Sequence, residues 1–167
     1  EQQASSSVTS LLHSSNLVVF SLHPPTECPK SFRKPSGPDD SRLRDVSVEY
    51  SQGSDGRLDV VSSLAEGPSG SHTFRGTAEI LDGANSRWEI SYSNMPHGIP
   101  FLVGDVYIIK VDVDYRTAMM GDPKRRGLTL LHRTPVLDSA EIAQSLRIAV
   151  AQGFDTSDLV WPIHSGR

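Results

Sequence analysis

The chain has 167 residues and a mass of 18.2 kDa, which is about the size of one domain with a sizeable core. Its formal net charge of −4 gives no electrostatic reason to bind a polyanion, so no nucleic-acid partner is expected. The longest apolar runs, Leu17 to Phe20 and Val106 to Ile109, are far shorter than the roughly 20 residues of a membrane helix. We therefore expect a globular protein that does not span a bilayer, with membrane contact and oligomeric state left open.

Cys28 is the only cysteine, so no internal disulfide is expected. A single cysteine favours a reducing compartment such as the cytoplasm, and leaves a secreted or membrane-peripheral location open. The six histidines show no ligand spacing, and the chain has neither a Gly-rich phosphate loop nor a GxSxG nucleophile motif. We expect no metal and no cofactor.

The N-terminal part of the chain predicts little regular structure. Residues 1–15 are polar and rich in serine, which predicts a flexible segment before a single domain over 16–167. Leu17 to His23 is β-prone and is the first predicted strand. Pro24 to Ser41 holds five prolines and six charged residues, which predicts a long loop. This loop is interpreted either as a lid over a binding site or as an exposed linker.

Four segments then alternate between apolar and polar residues, as strands with one buried face do. They are Val46–Tyr50, Leu58–Leu64, Phe74–Ile80 and Trp88–Tyr92, joined by turns such as GSDG and DGANS. No helix is predicted between residues 43 and 115 to cover such a sheet. The alternation therefore favours a sheet closed on itself as a barrel.

The region Gly104 to Pro135 predicts three consecutive antiparallel strands, because its turns DYR and GDPKRRG are too short for a crossover helix. The first of these strands, Gly104 to Val113, is apolar on both faces and needs an outer cover. A helix predicted over Ser139 to Gln152 supplies it, with Asp138 as N-cap and Gly153 as the stop. The predicted fold is mainly β: an eight-stranded antiparallel barrel with one C-terminal helix packed outside.

The same region resembles the lipocalin family, most closely its bacterial and plant-type branch. The similarity lies in Asp114, Tyr115 and Arg116 between two strands, in Arg133, Thr134 and Pro135 at a strand end, and in the helix followed by GFDTSDLVW. It covers roughly residues 43–165. The resemblance implies an up-and-down calycin barrel and a structural role at its closed end for Asp114, Tyr115 and Arg133. The family's Gly-x-Trp motif is absent, because Ser15 and Leu17 stand at those positions.

A barrel of this size is either filled by its own side chains or holds one small ligand. Together with the resemblance, the mixture of large and small inner residues favours an apolar cavity open at the loop end. The residues expected to line it are Tyr50, Phe74, Trp88, Ile90, Tyr92, Ile108 and Met120. Phe32 and His97 lie in loops that the resemblance places at the mouth, and are interpreted as gating residues.

Lys110 is the most distinctive candidate, since strand parity and the resemblance both put it on the inner face. An ammonium there needs a partner. Asp112, two residues along the same predicted face, would be a structural partner; a ligand's acidic or carbonyl head group would be a functional one. Lys110 is also the only candidate for a catalytic residue. The cluster Lys124, Arg125 and Arg126 predicts either a solvated hairpin tip or a contact with anionic membranes.

Two functions follow from a cavity of this kind. The first is binding or carriage of a small hydrophobic ligand, such as a fatty acid, lysophospholipid, isoprenoid or polyketide, driven mainly by apolar burial. The alternative is an enzyme that cyclises or isomerises an apolar substrate by holding one reactive conformer. A filled barrel that serves as an interaction module is a third reading with no positive signal.

Overall fold

In a computed structural model, residues 15–22, 43–66, 70–95 and 101–165 are described, the first of these segments by its backbone. Eight strands and one helix follow one another along the chain. They are β1 Ser15–Leu22, β2 Leu43–Gln52, β3 Leu58–Glu66, β4 Ser71–Ile80, β5 Arg87–Tyr92, β6 Gly104–Val111, β7 Thr117–Gly121, β8 Leu128–His132 and α1 Ser139–Ala151.

The strands form a closed barrel in sequence order, and β1 pairs with β8 to complete it. Every neighbouring pair is antiparallel, as the short connections predict. The predicted mainly β fold, an eight-stranded up-and-down barrel with an external helix, is confirmed. The predicted loop 24–41 and nearly all of the N-terminal segment 1–15 lie outside the described residues, although Ser15 already belongs to β1.

The barrel interior is the main hydrophobic core. Strands β2 to β5 place alternate residues inside, as their polar and apolar alternation predicts. The inner side chains are almost completely buried and pack on one another in one cluster: Val46, Val48, Tyr50, Leu58, Val60, Leu64, Phe74, Ala78, Trp88, Ile90, Val106, Ala118, Met120 and Leu131.

A second core lies between the barrel and helix α1. Met119, Leu128 and Leu130 on the outer face of β7 and β8 pack with Ala149 of the helix and with Phe154 beyond it. The helix was predicted to cover β6, and Ile109 of β6 does join this cluster. The helix also covers β7 and β8. Val150, near the end of the helix, lies outside this contact, because its side chain is 57% exposed.

Helix α1 begins and ends as its sequence predicts. The carboxylate of Asp138 accepts a hydrogen bond from the backbone N–H of Ala140 at 2.6 Å, which makes Asp138 the N-cap. Gly153 follows the C-cap in a left-handed conformation, with φ of 85°. In addition, Arg125 in the β7–β8 hairpin donates from Nε to the carbonyl of Gln152 at 2.7 Å. One residue of the basic cluster therefore caps the helix C-terminus, and the hairpin tip is tied to the helix.

The barrel has two distinct ends. The open end carries the β1–β2, β3–β4, β5–β6 and β7–β8 connections, whereas the closed end carries the tight β2–β3, β4–β5 and β6–β7 turns. Helix α1 runs from the closed end to the open end, and the segment after it returns to the first residues of β2. There, Ile163 pairs in parallel with Arg44.

Candidate functional site

The closed half of the interior contains a pair of buried aromatic residues that pack against each other. Trp88 is fully buried, and its ring packs edge-on against that of Tyr50 with centroids 5.5 Å apart. The indole Nε1 donates to the carbonyl of Asn85 in the β4–β5 turn at 3.1 Å, so Trp88 is anchored to the closed end. The tryptophan expected on β1 is absent from the sequence, and the base of this barrel is occupied by a tryptophan of β5 instead.

The open half contains a second aromatic group. Phe74 of β4 meets Phe101 at a centroid distance of 6.2 Å, and Tyr92 of β5 meets Phe101 at 6.4 Å. Tyr92 and Phe101 are only partly buried, in contrast to the fully buried Trp88. Phe101 was not among the predicted site residues. It stands before β6 in an irregular segment, so no strand periodicity marked it as facing inward.

Two hydroxyl groups meet inside this apolar interior. Ser62 Oγ of β3 and Tyr92 Oη lie 2.7 Å apart and share a hydrogen bond. Burial raises the pKa of the Tyr92 phenol to about 12, although its hydrogen bond with Ser62 acts in the opposite direction. Burial, and in second place the nearby Tyr92, also raises the pKa of Tyr50. The Tyr50 hydroxyl lies 3.9 Å from the sulfur of Met120. Both phenols are therefore neutral hydrogen-bonding groups at physiological pH.

Seven of the eight residues predicted to line the interior belong to one cluster. Tyr50, Phe74, Trp88, Ile90 and Met120 are buried in the inner core, and Tyr92 and Ile108 pack against it partly buried. The structure thus brings these seven side chains together on the inner face. Whether they contact a ligand stays a prediction.

Lys110 is the exception, and its predicted inward orientation is wrong. The β6–β7 register shifts between Ile108 and Lys110, because Ile109 is an extra residue in the pairing. Lys110 consequently lies opposite Met119, on the outer face, and its Nζ lies 3.3 Å from the hydroxyl of Ser145 on helix α1. The lysine therefore lies between barrel and helix, away from the interior where a ligand's head group was expected.

Asp112, the predicted partner of Lys110, has a different role. Its carboxylate accepts hydrogen bonds from the backbone N–H groups of Arg116 and Thr117, at 2.7 and 2.8 Å, and so builds the β6–β7 turn. Strand β6 ends at Val111, two residues before the predicted end, because Asp112 already belongs to this turn. A turn-forming aspartate was the available signal for this role.

The three motif residues all lie at the closed end. Tyr115 occupies the left-handed region with φ of 54°, and its carbonyl accepts from Arg133 Nε at 2.6 Å. Asp114 forms an exposed ion pair with Arg116, at 3.6 Å. Arg133 and Tyr115 thus tie the end of β8 to the β6–β7 turn, which agrees with the structural role that the resemblance implies.

Several predictions concern residues outside the described part of the chain. Phe32 and His97, the two proposed gating residues, are among them, as is the candidate lid 24–41. Within residues 15–22, 43–66, 70–95 and 101–165, no group of three or more histidine, cysteine or acidic side chains is arranged to hold a metal ion. No helix in those ranges has the length and apolar character to cross a bilayer.

Comparison with known proteins decides the family. The model of the lipocalin-like domain family matches residues 33–164, which is most of the chain. The chain is a lipocalin. The resemblance seen in the turn, strand-end and helix motifs is therefore confirmed, including its placement with the bacterial and plant-type branch.

Two curated relatives illustrate that branch. The outer membrane lipoprotein Blc of Escherichia coli K12 is 29% identical over 119 residues, which is 71% of this lipocalin and 65% of Blc. Temperature-induced lipocalin-1 of Arabidopsis thaliana is 27% identical over 119 residues, covering 69% of this chain and 63% of the plant protein. The matched part thus spans slightly less than two thirds of each relative's length.

Solved structures with low sequence identity share the fold. Lobster apocrustacyanin A1 superposes with a TM-score of 0.62 at 14% identity, covering 98% of this lipocalin and 85% of that chain. The cockroach allergen Per a 4 superposes with a TM-score of 0.59 at 13% identity, covering 94% and 88% of the two chains. Members of the lipocalin family bind small hydrophobic ligands. Family membership supports this general property and does not specify a ligand.

Proposed function

We propose that this lipocalin binds and carries one small hydrophobic molecule in the open half of its barrel. The observation that carries the proposal is the contrast between the two halves of the interior. Trp88 and Tyr50 are buried in the closed half, whereas Tyr92 and Phe101 in the open half are partly exposed and present aromatic surface. Burial of apolar ligand surface against these rings would supply most of the affinity, at about 25 cal/mol per Å².

The alternative, an enzyme that cyclises or isomerises its substrate, depended on a catalytic lysine inside the barrel. Lys110 was the candidate proton donor, and its ammonium contacts Ser145 on the far side of the barrel wall. The proposed function is therefore carriage, without a catalytic step.

A fluorescent apolar probe tests the proposal. We expect N-phenyl-1-naphthylamine, an uncharged molecule, to bind with saturation at one site per chain and to be displaced by long-chain apolar molecules. Native mass spectrometry of protein purified from its own source is expected to show a copurified small molecule. The absence of saturable probe binding by correctly folded protein would contradict the proposal.

A matched pair of variants locates the site. Val60 lies on the inner face of β3, and the next residue, Val61, lies on the outer face. Val60→Trp should fill the interior and abolish probe binding, while Val61→Trp should leave it intact. Circular dichroism checks that both variants fold. Equal binding by the two folded variants would place the probe outside the barrel.

A further inference from the structure

The hydroxyl pair Ser62 and Tyr92 contains one hydrogen-bond donor that their mutual contact does not use. Only one of the two O–H groups can donate to the other across their 2.7 Å contact, so one hydroxyl hydrogen is left over. Within the described part of the chain, neither side chain makes a second hydrogen bond that would use it. Burial of an unused donor is unfavourable, and a ligand oxygen would satisfy it.

Gly76 determines where this donor lies. Tyr92 stands directly opposite Gly76 on β4, and Gly76 in turn stands opposite Val60 on β3. A Cβ at Gly76 would come within 2.9 Å of Tyr92 Cδ1 and would also collide with the carbonyl oxygen of Ser91. The missing side chain thus lets the Tyr92 ring lie across β4, with its hydroxyl delivered to Ser62 two strands away.

The described strands around the pair carry no balancing positive charge. On the inner face of the described strands β2 to β8 there is neither a lysine nor an arginine, since Lys110 lies on the outer side. The sequence of β1, SNLVVFSL, contains none either. A carboxylate placed beside Ser62 and Tyr92 would lose its hydration and gain only hydroxyl donors, which is a poor exchange for a charged group.

We infer that the barrel selects apolar molecules that carry an uncharged oxygen, a ketone, aldehyde or alcohol, over carboxylates of equal chain length. The pair Ser62 and Tyr92 is the polar contact for that oxygen, and Phe74 and Phe101 contact the apolar part next to it. This inference rests on the proposed function and specifies the ligand class for the same site.

Four C12 molecules that differ only at one end test the selection: dodecane, 1-dodecanol, 2-dodecanone and dodecanoate. Each is titrated at pH 8 against protein loaded with N-phenyl-1-naphthylamine. We expect the alcohol and the ketone to displace the probe at concentrations about tenfold lower than dodecane or dodecanoate, as one buried hydrogen bond permits. The double variant Ser62→Ala, Tyr92→Phe, which removes both hydroxyl donors, should reduce that preference to about twofold.

The outer wall offers a matched control. Thr77 and Ser91 form a second hydroxyl pair, at 3.3 Å, on the exposed side of the same two strands β4 and β5. Ser91→Ala removes that contact without touching the interior, and should keep the full preference for alcohol and ketone.

The outcomes separate this inference from the proposed function. If all four molecules displace the probe equally, or if dodecanoate displaces it best, the inference is overturned and the carrier function stands. The inference is also overturned if the double variant Ser62→Ala, Tyr92→Phe lowers stability but leaves the preference for oxygen unchanged, because the pair is then purely structural. If neither the probe nor any C12 molecule binds, the proposed carrier function is contradicted, and the inference that rests on it is contradicted with it.

Discussion

At the scale of single residues, the interior depends on a few polar atoms placed among apolar ones. Tyr50 and Tyr92 both hold their hydroxyl groups inside the barrel, and among the described side chains Tyr92 alone has an oxygen partner, Ser62. Such groups make a folded protein sensitive to pH, because the buried site disfavours the phenolate and the unfolded chain does not.

The two inner tyrosines predict a loss of stability at high pH. Unfolded tyrosine loses its proton near pH 10, whereas Tyr92 in the folded protein keeps it until about pH 12. The unfolded state therefore binds fewer protons above pH 10, and the free energy of unfolding should fall by about 1 kcal/mol per tyrosine between pH 10 and 11. Urea denaturation at pH 8, 10 and 11 measures this fall.

The double variant Tyr50→Phe, Tyr92→Phe should flatten this pH dependence. Tyr107→Phe is the control, since that ring lies on the outer surface beside Arg87. An unchanged slope in the double variant would show that other groups cause the alkaline loss.

Substitution of Lys110 is predicted to have little effect on ligand binding. Because its ammonium contacts Ser145 outside the barrel wall, Lys110→Met should change the dissociation constant of N-phenyl-1-naphthylamine by less than about twofold. The variant should shift the free energy of unfolding by about 1 kcal/mol or less, the usual range for one hydrogen bond. A tenfold loss of probe affinity in the folded variant would return Lys110 to the ligand site.

At the scale of elements, three hairpins use the same turn. In each, an aspartate carbonyl accepts from the backbone N–H of the residue three positions later, and that residue is left-handed: Asp82 with Asn85, Asp112 with Tyr115, and Asp122 with Arg125. The aspartate carboxylates accept further backbone N–H groups. The backbone N–H groups of a turn have no neighbouring strand to bond with, and the aspartate carboxylates accept hydrogen bonds from them instead.

Two aspartates of one turn provide a matched test. Asp112 accepts two backbone N–H groups, one of them from the part-buried end of the turn. Among the described residues, the contact of Asp114 is an exposed ion pair with Arg116. Asp112→Ala should lower the free energy of unfolding by about 2 kcal/mol. Asp114→Ala should change it by less than about 1 kcal/mol. Urea denaturation of both variants makes the comparison, and an equal loss from each would contradict the assigned roles.

At the scale of the whole molecule, the segment after helix α1 ties the C-terminal end of the described chain to the first residues of β2. The backbone of Ile163 exchanges hydrogen bonds with Leu43 and Asp45, at 3.1 and 2.9 Å, and the Asp45 carboxylate accepts from Ser165. Val160 packs against the inner core. The β1–β2 pairing reaches only Ser47, so this segment occupies the edge of β2 that β1 leaves. The C-terminal segment thus continues the pairing of β2 at the open end of the barrel.

Removal of residues 162–167 should therefore destabilise the protein. The truncation deletes two backbone hydrogen bonds and the contacts of Asp45, which together are worth about 2 to 3 kcal/mol. Urea denaturation compares it with a control truncation of residues 166 and 167, which keeps Ile163 and Ser165. If both truncations leave stability unchanged, the segment does not hold β2 in place.

The sequence by itself determined the closed barrel, the outer helix and its caps, and seven of the eight inner residues. These features follow from local periodicity and turn chemistry, which can be read from a short stretch of sequence without knowing what it packs against. Only the tertiary structure decided the direction of Lys110 and the contact between Ser62 and Tyr92. Parity counting places Lys110 inside, but one bulged residue on β6 reverses every side chain beyond it, and the bulge exists only against β7. Likewise, Tyr92 reaches Ser62 because β4 presents Gly76 between them, which is a property of three paired strands and of no single one.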